Sequence, residues 1–275
     1  MSEKTALITG STSGIGYITA LELAKQGFHT VLHARNREKA EQTQQQIVRQ
    51  TGNKAVDIIL ADFAHLDEIR PLASEFAKRY DRLDLLVNNA GLILGNNRQV
   101  TPEGYELTIT INHLAPFLLT NLLYGTLKGT PGARIINVAS MAHRGAAPDF
   151  NDFHLERSYS GWKAYCNSKL YNIMFTAELA RREVPAWSLH PGTVATSFSA
   201  GSGGWIQPFF SLFRPFLSTP EQGASTSIYL CTEKEIPAPS GAYFVNSKPA
   251  KVRNRFYTPD NNRRLWELSE KLTGK

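Results

Sequence analysis

Short runs rich in Val, Ile and Leu alternate along this chain with longer stretches in which apolar positions recur at helical spacing. Residues 5–9, 28–34, 55–60, 83–87, 134–139, 185–189 and 242–245 read as strands by their apolar, β-branched character. Between them, residues 14–26, 37–51, 65–80, 102–128, 160–182 and 220–231 read as helices, the second with a Gln-rich solvent face. Strands separated by stretches long enough to cross over predict an α/β, doubly wound parallel sheet with helices on both faces. No linker, repeat or low-complexity tract divides residues 1–275, so a single domain is expected. The long irregular stretch 193–219 stands out, since such loops in compact domains are usually functional or disordered. Residues 246–275 read as a C-terminal extension.

Composition narrows the class. The apolar fraction is 42% and the charged fraction 20%, ordinary for a globular protein. No run reaches the roughly 18 apolar residues of a membrane span. The most apolar late stretch, 206–217, carries Gln207 and Arg214. The chain starts on strand-like sequence rather than a signal peptide, and Cys166 and Cys231 suggest neither a disulfide framework nor a metal pair. A cytoplasmic location is the default expectation. The net charge of +6 is scattered, with one modest cluster at Lys251, Arg253, Arg255, Arg263 and Arg264. That reads as a solvated basic surface, with no nucleic acid expected as partner. A positive field also suits an anionic cofactor.

Candidate chemistry begins after the first strand, where Thr9-Gly10-Ser11-Thr12-Ser13-Gly14-Ile15-Gly16 runs into a helix. Glycines let backbone turn tightly beside a pyrophosphate, and a helix N-terminus offers free N–H groups. An ordinary strand-to-helix turn has the same look, but this position is the one a dinucleotide-binding turn requires. An acid about 20 residues further on would bind the ribose of NAD. Here the second strand ends His33-Ala34-Arg35-Asn36, and Arg35 suits a 2′-phosphate, so NADP(H) is expected in preference to NAD(H). Asp62, just past the third strand, is a candidate acceptor for the adenine amino group.

Tyr165 and Lys169 stand four apart and share one helical face. An ammonium about 4 Å from a phenol, at an effective dielectric near 20, would lower the phenol by up to roughly three pKa units. A phenol so tuned suits proton donation to a carbonyl oxygen receiving hydride. Ser140, ending the fifth strand, is a candidate donor to that oxygen. His29 and His33, four apart on a strand, do not form a metal site. His113, His143 and His190 read as scaffold.

Taken in order, Thr9 and the glycines Gly10, Gly14 and Gly16, then Asn88-Asn89-Ala90-Gly91, Asn112, Ser140, Tyr165 with Lys169, and Pro191-Gly192 resemble the short-chain dehydrogenase/reductase superfamily. The resemblance covers nearly the whole chain. Ala34-Arg35-Asn36, Ile111-Asn112-His113-Leu114, the run 164–170 and His190-Pro191-Gly192 are similar to its retinol dehydrogenase and WW-domain oxidoreductase group. This resemblance implies a Rossmann-like sheet of about seven strands in the order 3-2-1-4-5-6-7. It also implies a catalytic tetrad. Tyr165 transfers the proton, Ser140 positions the substrate oxygen, Lys169 holds the nicotinamide ribose and lowers the tyrosine pKa, and Asn112 fixes its helix and a water leading from Lys169. Cofactor contacts are expected from Gly10, Ser11, Ser13, Gly14, Ile15 and Gly16, from Arg35 and Asn36, and from Asp62 and Phe63. Asn89, Ala90 and Gly91, then Pro191, Gly192, Val194 and Thr196, complete the expected set. Homodimers or homotetramers are common among such relatives. Membrane-bound members of the group carry an apolar N-terminal anchor that this sequence does not show, so retinoid specificity is not carried over.

Residues 193–219 hold Trp205, Ile206, Phe209, Phe210, Leu212, Phe213, Phe216 and Leu217. As a cover over substrate they favour a small lipophilic aldehyde, ketone or alcohol. A subunit interface or peripheral membrane contact would use the same residues. The chemistry expected is hydride transfer between a carbonyl and an alcohol. The alternative is a catalytically silent dinucleotide sensor.

Overall fold

The computed structural model describes residues 4–192 and 219–274. The strand runs β1 (Thr5–Ile8), β2 (His29–Ala34), β3 (Val56–Leu60), β4 (Leu85–Asn88), β5 (Arg134–Val138), β6 (Ala186–His190) and β7 (Tyr243–Val245) pair in parallel in the order 3-2-1-4-5-6-7. Their residues are largely buried, as expected of a parallel sheet covered on both faces. Helices α1 (Gly14–Lys25), α2 (Arg37–Thr51) and α3 (Leu66–Arg79) cross between the first four strands. On the α1 and α2 side, Ala20, Leu23 and Ile47 pack with Ile8, Leu32 and Val87. On the other side, Phe76 of α3 and Phe117 pack with Leu7, Val31 and Leu86. α2 and α3 present a polar outer face and turn their buried residues to the sheet.

The sheet has one strand more than the seven expected. β8 (Lys248–Ala250) pairs antiparallel with β7. Lys248-Pro249-Ala250 carries no apolar strand signal. The strand exists because Asn246 and Ser247 adopt φ of 49° and 57°, folding the chain back in a two-residue hairpin. The C-terminal residues then build α9 (Pro259–Thr273), preceded in the chain by α8 (Pro220–Thr232). Leu265 and Trp266 of α9 are buried in the main core, with Trp266 edge-on to Phe117 at 4.9 Å. The C-terminal extension thus packs into the same core as the sheet.

The expected single helix over 102–128 is broken. It begins at α4 (Leu107–Ile109), widens into a π turn (Thr110–Leu114), continues as α5 (Ala115–Leu122) and restarts as α6 (Tyr124–Lys128). The Ala115 N–H donates to the carbonyl of Thr110, five residues back. Pro116 has no N–H to offer the carbonyl of Asn112, and a widened turn is the way a helix absorbs that loss. Asn112 lies inside this turn. Beyond β5, a 3-10 turn (Met141–Gly145) precedes α7 (Gly161–Leu179).

Candidate active site

The strand order reverses between β1 and β4, and the carboxyl ends of β1, β4, β5 and β6 deliver Thr9, Asn89, Ser140 and Pro191 to one edge of the sheet. Open α/β sheets hold ligands at that switch point.

The glycine turn is braced from below. Gly10 takes a φ of 63°, and a Cβ there would lie 2.9 Å from the Cα of Ala90. At Gly16 a Cβ would run into the Asn89 amide and the Gly10 carbonyl. Asn89 Nδ2 donates to the carbonyls of Thr9 (2.8 Å) and Gly10 (3.1 Å), and Thr9 Oγ1 accepts from the N–H groups of Asn89 and Ala90 at 2.9 Å each. His33 Nδ1 accepts from the Gly10 N–H (3.3 Å), so Nε2 carries the proton given to the Ala61 carbonyl (3.1 Å). Burial pushes this imidazole down to about 4, fixing it neutral. No acid occupies the first turn of α1 and the Ser13 side chain does not cap it. The helix end therefore keeps its positive character, and with the Gly10–Gly16 cradle it fits a dinucleotide pyrophosphate.

Several expected cofactor residues point elsewhere. Ser11 Oγ donates to the His33 carbonyl inside the protein. Asn36 Oδ1 accepts from the Lys39 N–H and caps α2. Phe63 is buried and stacked on His33 at 4.2 Å. For the buried Ser11 and Phe63 only the backbone remains to meet a ligand, whereas Asn36 is exposed and its cap engages Oδ1 and not Nδ2. Asp62 Oδ1 accepts from the Ala64 N–H. Ile15, Ala90, Gly91, Pro191 and Gly192 are half-buried, Gly192 with a φ of 87°, while Arg35 is exposed just past β2. Val194, Thr196 and the stretch 193–218 lie outside the described residues.

Asn112 of the π turn, Ser140 past the end of β5, and Tyr165 and Lys169 of α7 converge from three elements. Tyr165 is hydrogen-bonded to the Ser140 side chain. Lys169 Nζ sits 5.6 Å from the Tyr165 ring centre and donates to the Val138 carbonyl at 3.1 Å. Asn112 Nδ2 donates to the Leu92 carbonyl and to Ser168 Oγ, and its Oδ1 accepts from the Leu92 N–H at 2.8 Å. A Cβ on Gly91 would stand 3.2 Å from Asn112 Oδ1 and 3.3 Å from Lys169 Nζ, so the loop after β4 threads between them. Asn112 thus clamps that loop, a contact the family analogy did not include.

The electrostatics correct one expectation. The Tyr165 phenol lies above its usual range rather than below it. Burial raises it to about 12, opposed by the hydrogen bond to Ser140. Burial also brings Lys169 down to about 8. In this enclosed site desolvation outweighs attraction across the intervening distance.

Sequence reasoning missed the supports. His143 Nδ1 donates to the Ser140 carbonyl (2.7 Å), His190 Nδ1 accepts from the Met141 N–H (3.3 Å), and Asn254 Nδ2 donates to the carbonyls of His143 and Ala146. The turn holding Ser140 is gripped from β6 and from the C-terminal region. His113 Nε2 likewise binds Ser269 of α9 at 2.9 Å. The histidines were legible as scaffold, but their partners, distant in sequence, left no local signal. Among the described residues no His, Cys, Asp and Glu cluster suits a metal ion, and no helix is long and apolar enough to cross a membrane.

A family model for short chain dehydrogenase matches residues 4–206. Retinol dehydrogenase 11 of Mus musculus is 37% identical over 98% of this chain and 86% of its own length. Dehydrogenase/reductase SDR family member 13 of Bos taurus is also 37% identical, over 98% of this chain and 73% of its own. A crystal structure of a protein from Mycobacterium paratuberculosis superimposes with a TM-score of 0.78 at 29% identity, covering 99% of this chain and 94% of that one. A short chain dehydrogenase from Escherichia coli CFT073 complexed with NADPH shares the fold, with a TM-score of 0.71 at 23% identity over 90% of this chain and 97% of that one.

Proposed function

Since the chain belongs to the short chain dehydrogenase family and is an NAD(P)-dependent oxidoreductase of CH–OH and C=O groups, we propose that it interconverts a lipophilic aldehyde or ketone with its alcohol, using NADP(H) in preference to NAD(H). The observation that carries this reading is the hydrogen-bonded Ser140–Tyr165 pair with Lys169 one helical turn on, beside the glycine cradle.

In this reading Gly10, Gly14 and Gly16 hold the pyrophosphate against the start of α1, and Ala90 and Gly91 flank the adenosine ribose. Arg35, exposed past β2 with no acid beside it in the strand, supports the 2′-phosphate. Lys169 holds the nicotinamide ribose. A bound reduced nicotinamide supplies the hydride. Ser140 Oγ donates to the substrate oxygen and orients it. Tyr165 Oη gives its proton to that oxygen as the carbonyl is reduced, and takes it back when an alcohol is oxidised. A phenol held high by burial is protonated at neutral pH, as a proton donor must be. The names of the retinol dehydrogenase relatives support a lipophilic substrate.

The test is Tyr165→Phe. Turnover of every aldehyde should fall at least about a hundredfold while NADPH affinity, read by cofactor fluorescence, stays within about twofold. Equal turnover in the variant would refute the proton role. Tight NADPH binding with no single-turnover oxidation by any carbonyl in the parent protein would mark a sensor instead.

A further inference from the structure

Among the described residues three large apolar side chains are exposed, and two of them flank the reacting hydroxyls. Met141, 37% exposed, follows Ser140 directly. Trp162, 49% exposed, lies on the first turn of α7, one helical turn before Tyr165. Its ring centre is 5.9 Å from that of Tyr165, tilted by 40°. Its Nε1 edge reaches the Met141–Gly145 turn, where a Cβ on Gly145 would stand 3.9 Å away. The indole therefore spans the two elements that supply Ser140 and Tyr165.

The placement has a local cause. At Gly161 a Cβ would collide with the carbonyls of Leu94 and Gly95, so only glycine lets α7 start this close to the loop after β4. The Gly161 N–H donates to Asn96 Oδ1 at 3.2 Å, fixing that start. Trp162 is then aimed outward over the 3-10 turn. Half of a tryptophan left in water forgoes a large share of its burial free energy, and nothing in the Ser140–Tyr165 pair needs an indole nearby. A ligand whose carbonyl oxygen sits on Ser140 and Tyr165 would extend its apolar chain across this surface.

We infer that Trp162, with Met141, is the specificity-determining surface for the apolar chain of the substrate, selecting long straight-chain carbonyls over short ones by the methylenes that cover the indole. This rests on the oxidoreductase reading above. Each methylene brought onto the ring is worth up to roughly fourfold in kcat/KM.

The experiment measures kcat/KM with NADPH for straight-chain aldehydes from propanal to decanal, in the parent protein, Trp162→Ala and Trp162→Phe. The expected result is a rise with chain length in the parent, a slope at least halved in Trp162→Ala, and its recovery in Trp162→Phe. Circular dichroism verifies that both variants are folded. A uniform loss at every length, with the slope intact, overturns the inference and leaves the oxidoreductase reading standing. So does a parent protein that turns over all lengths equally. No turnover of any carbonyl in the parent removes the oxidoreductase reading, and this assignment falls with it.

Discussion

Replacing Lys169 by methionine should make the protein more stable and far less active. The ammonium is almost wholly buried, and its pKa is drawn from 10.5 to about 8 by burial alone. Carrying the charge at neutral pH therefore costs roughly 3 kcal/mol. Methionine fills nearly the same volume without charge. What is lost is the 3.1 Å hydrogen bond to the Val138 carbonyl, worth about 1 kcal/mol. Asn172 Nδ2 also donates to that oxygen at 3.3 Å, so it is not orphaned. The net gain is about 2 kcal/mol, or a rise in Tm of about 4–8 °C for a domain of this size.

The pH dependence gives the sharper check. Between pH 8 and 10.5 the unfolded lysine still holds a proton that the folded one has released. Parent stability therefore rises through this window, and the advantage of the variant shrinks to nothing by its upper end. Urea unfolding at pH 7, 8.5 and 10, without dinucleotide, measures this directly. Activity should move the other way, falling at least about a hundredfold with the loss of a preorganised charge. A variant less stable than the parent at pH 7, or a gap that does not narrow with pH, would refute the desolvation argument.

Other outcomes follow from the same geometry. Arg35→Ala should raise the Kd for NADPH by at least about tenfold and leave NADH almost unchanged; equal losses in a fluorescence titration would remove the basis for cofactor choice. Gly16→Ala should abolish dinucleotide binding in a folded protein, because the methyl meets the Asn89 amide and the Gly10 carbonyl; near-parental affinity in the same titration would show that the cradle is not the binding surface. In acid, burial holds His33 at about 4 and His113 at about 3. The unfolded chain takes up these protons near pH 6.5 and the native state resists, so stability should drop by several kcal/mol, roughly 3 from His33 and roughly 5 from His113, as pH falls from 6.5 towards 3. Chemical denaturation at pH 7, 5.5 and 4.5 reads the slope, and a flat profile would contradict neutral, buried imidazoles.

The parts of this site that can be read along the chain share a property: their chemistry is local. The turn from Thr9 to Gly16 announces itself because glycine spacing at a strand-to-helix junction is a backbone requirement, and Tyr165 with Lys169 because helical periodicity alone places them together. His33 and Asn254 gave no such sign. His33 is an ordinary strand residue until Gly10 is folded over it, and Asn254 lies 111 residues from the His143 carbonyl it binds. The same holds for the environment of Tyr165: helical spacing brings an ammonium near, but enclosure by the rest of the protein leaves no mark in that spacing.

By itself the sequence determined the alternation of strands and crossover helices, the parallel sheet, the phosphate-type turn and the identity of the converging side chains. Periodicity and backbone conformation are properties of a few consecutive residues. Tertiary structure alone decided the docking of α9 into the core, the clamp of Asn112 on the loop after β4, the grip of His190 and Asn254 on the Ser140 turn and the raised phenol of Tyr165. Each depends on what distant segments pack against it, and burial is a quantity no short window of sequence contains.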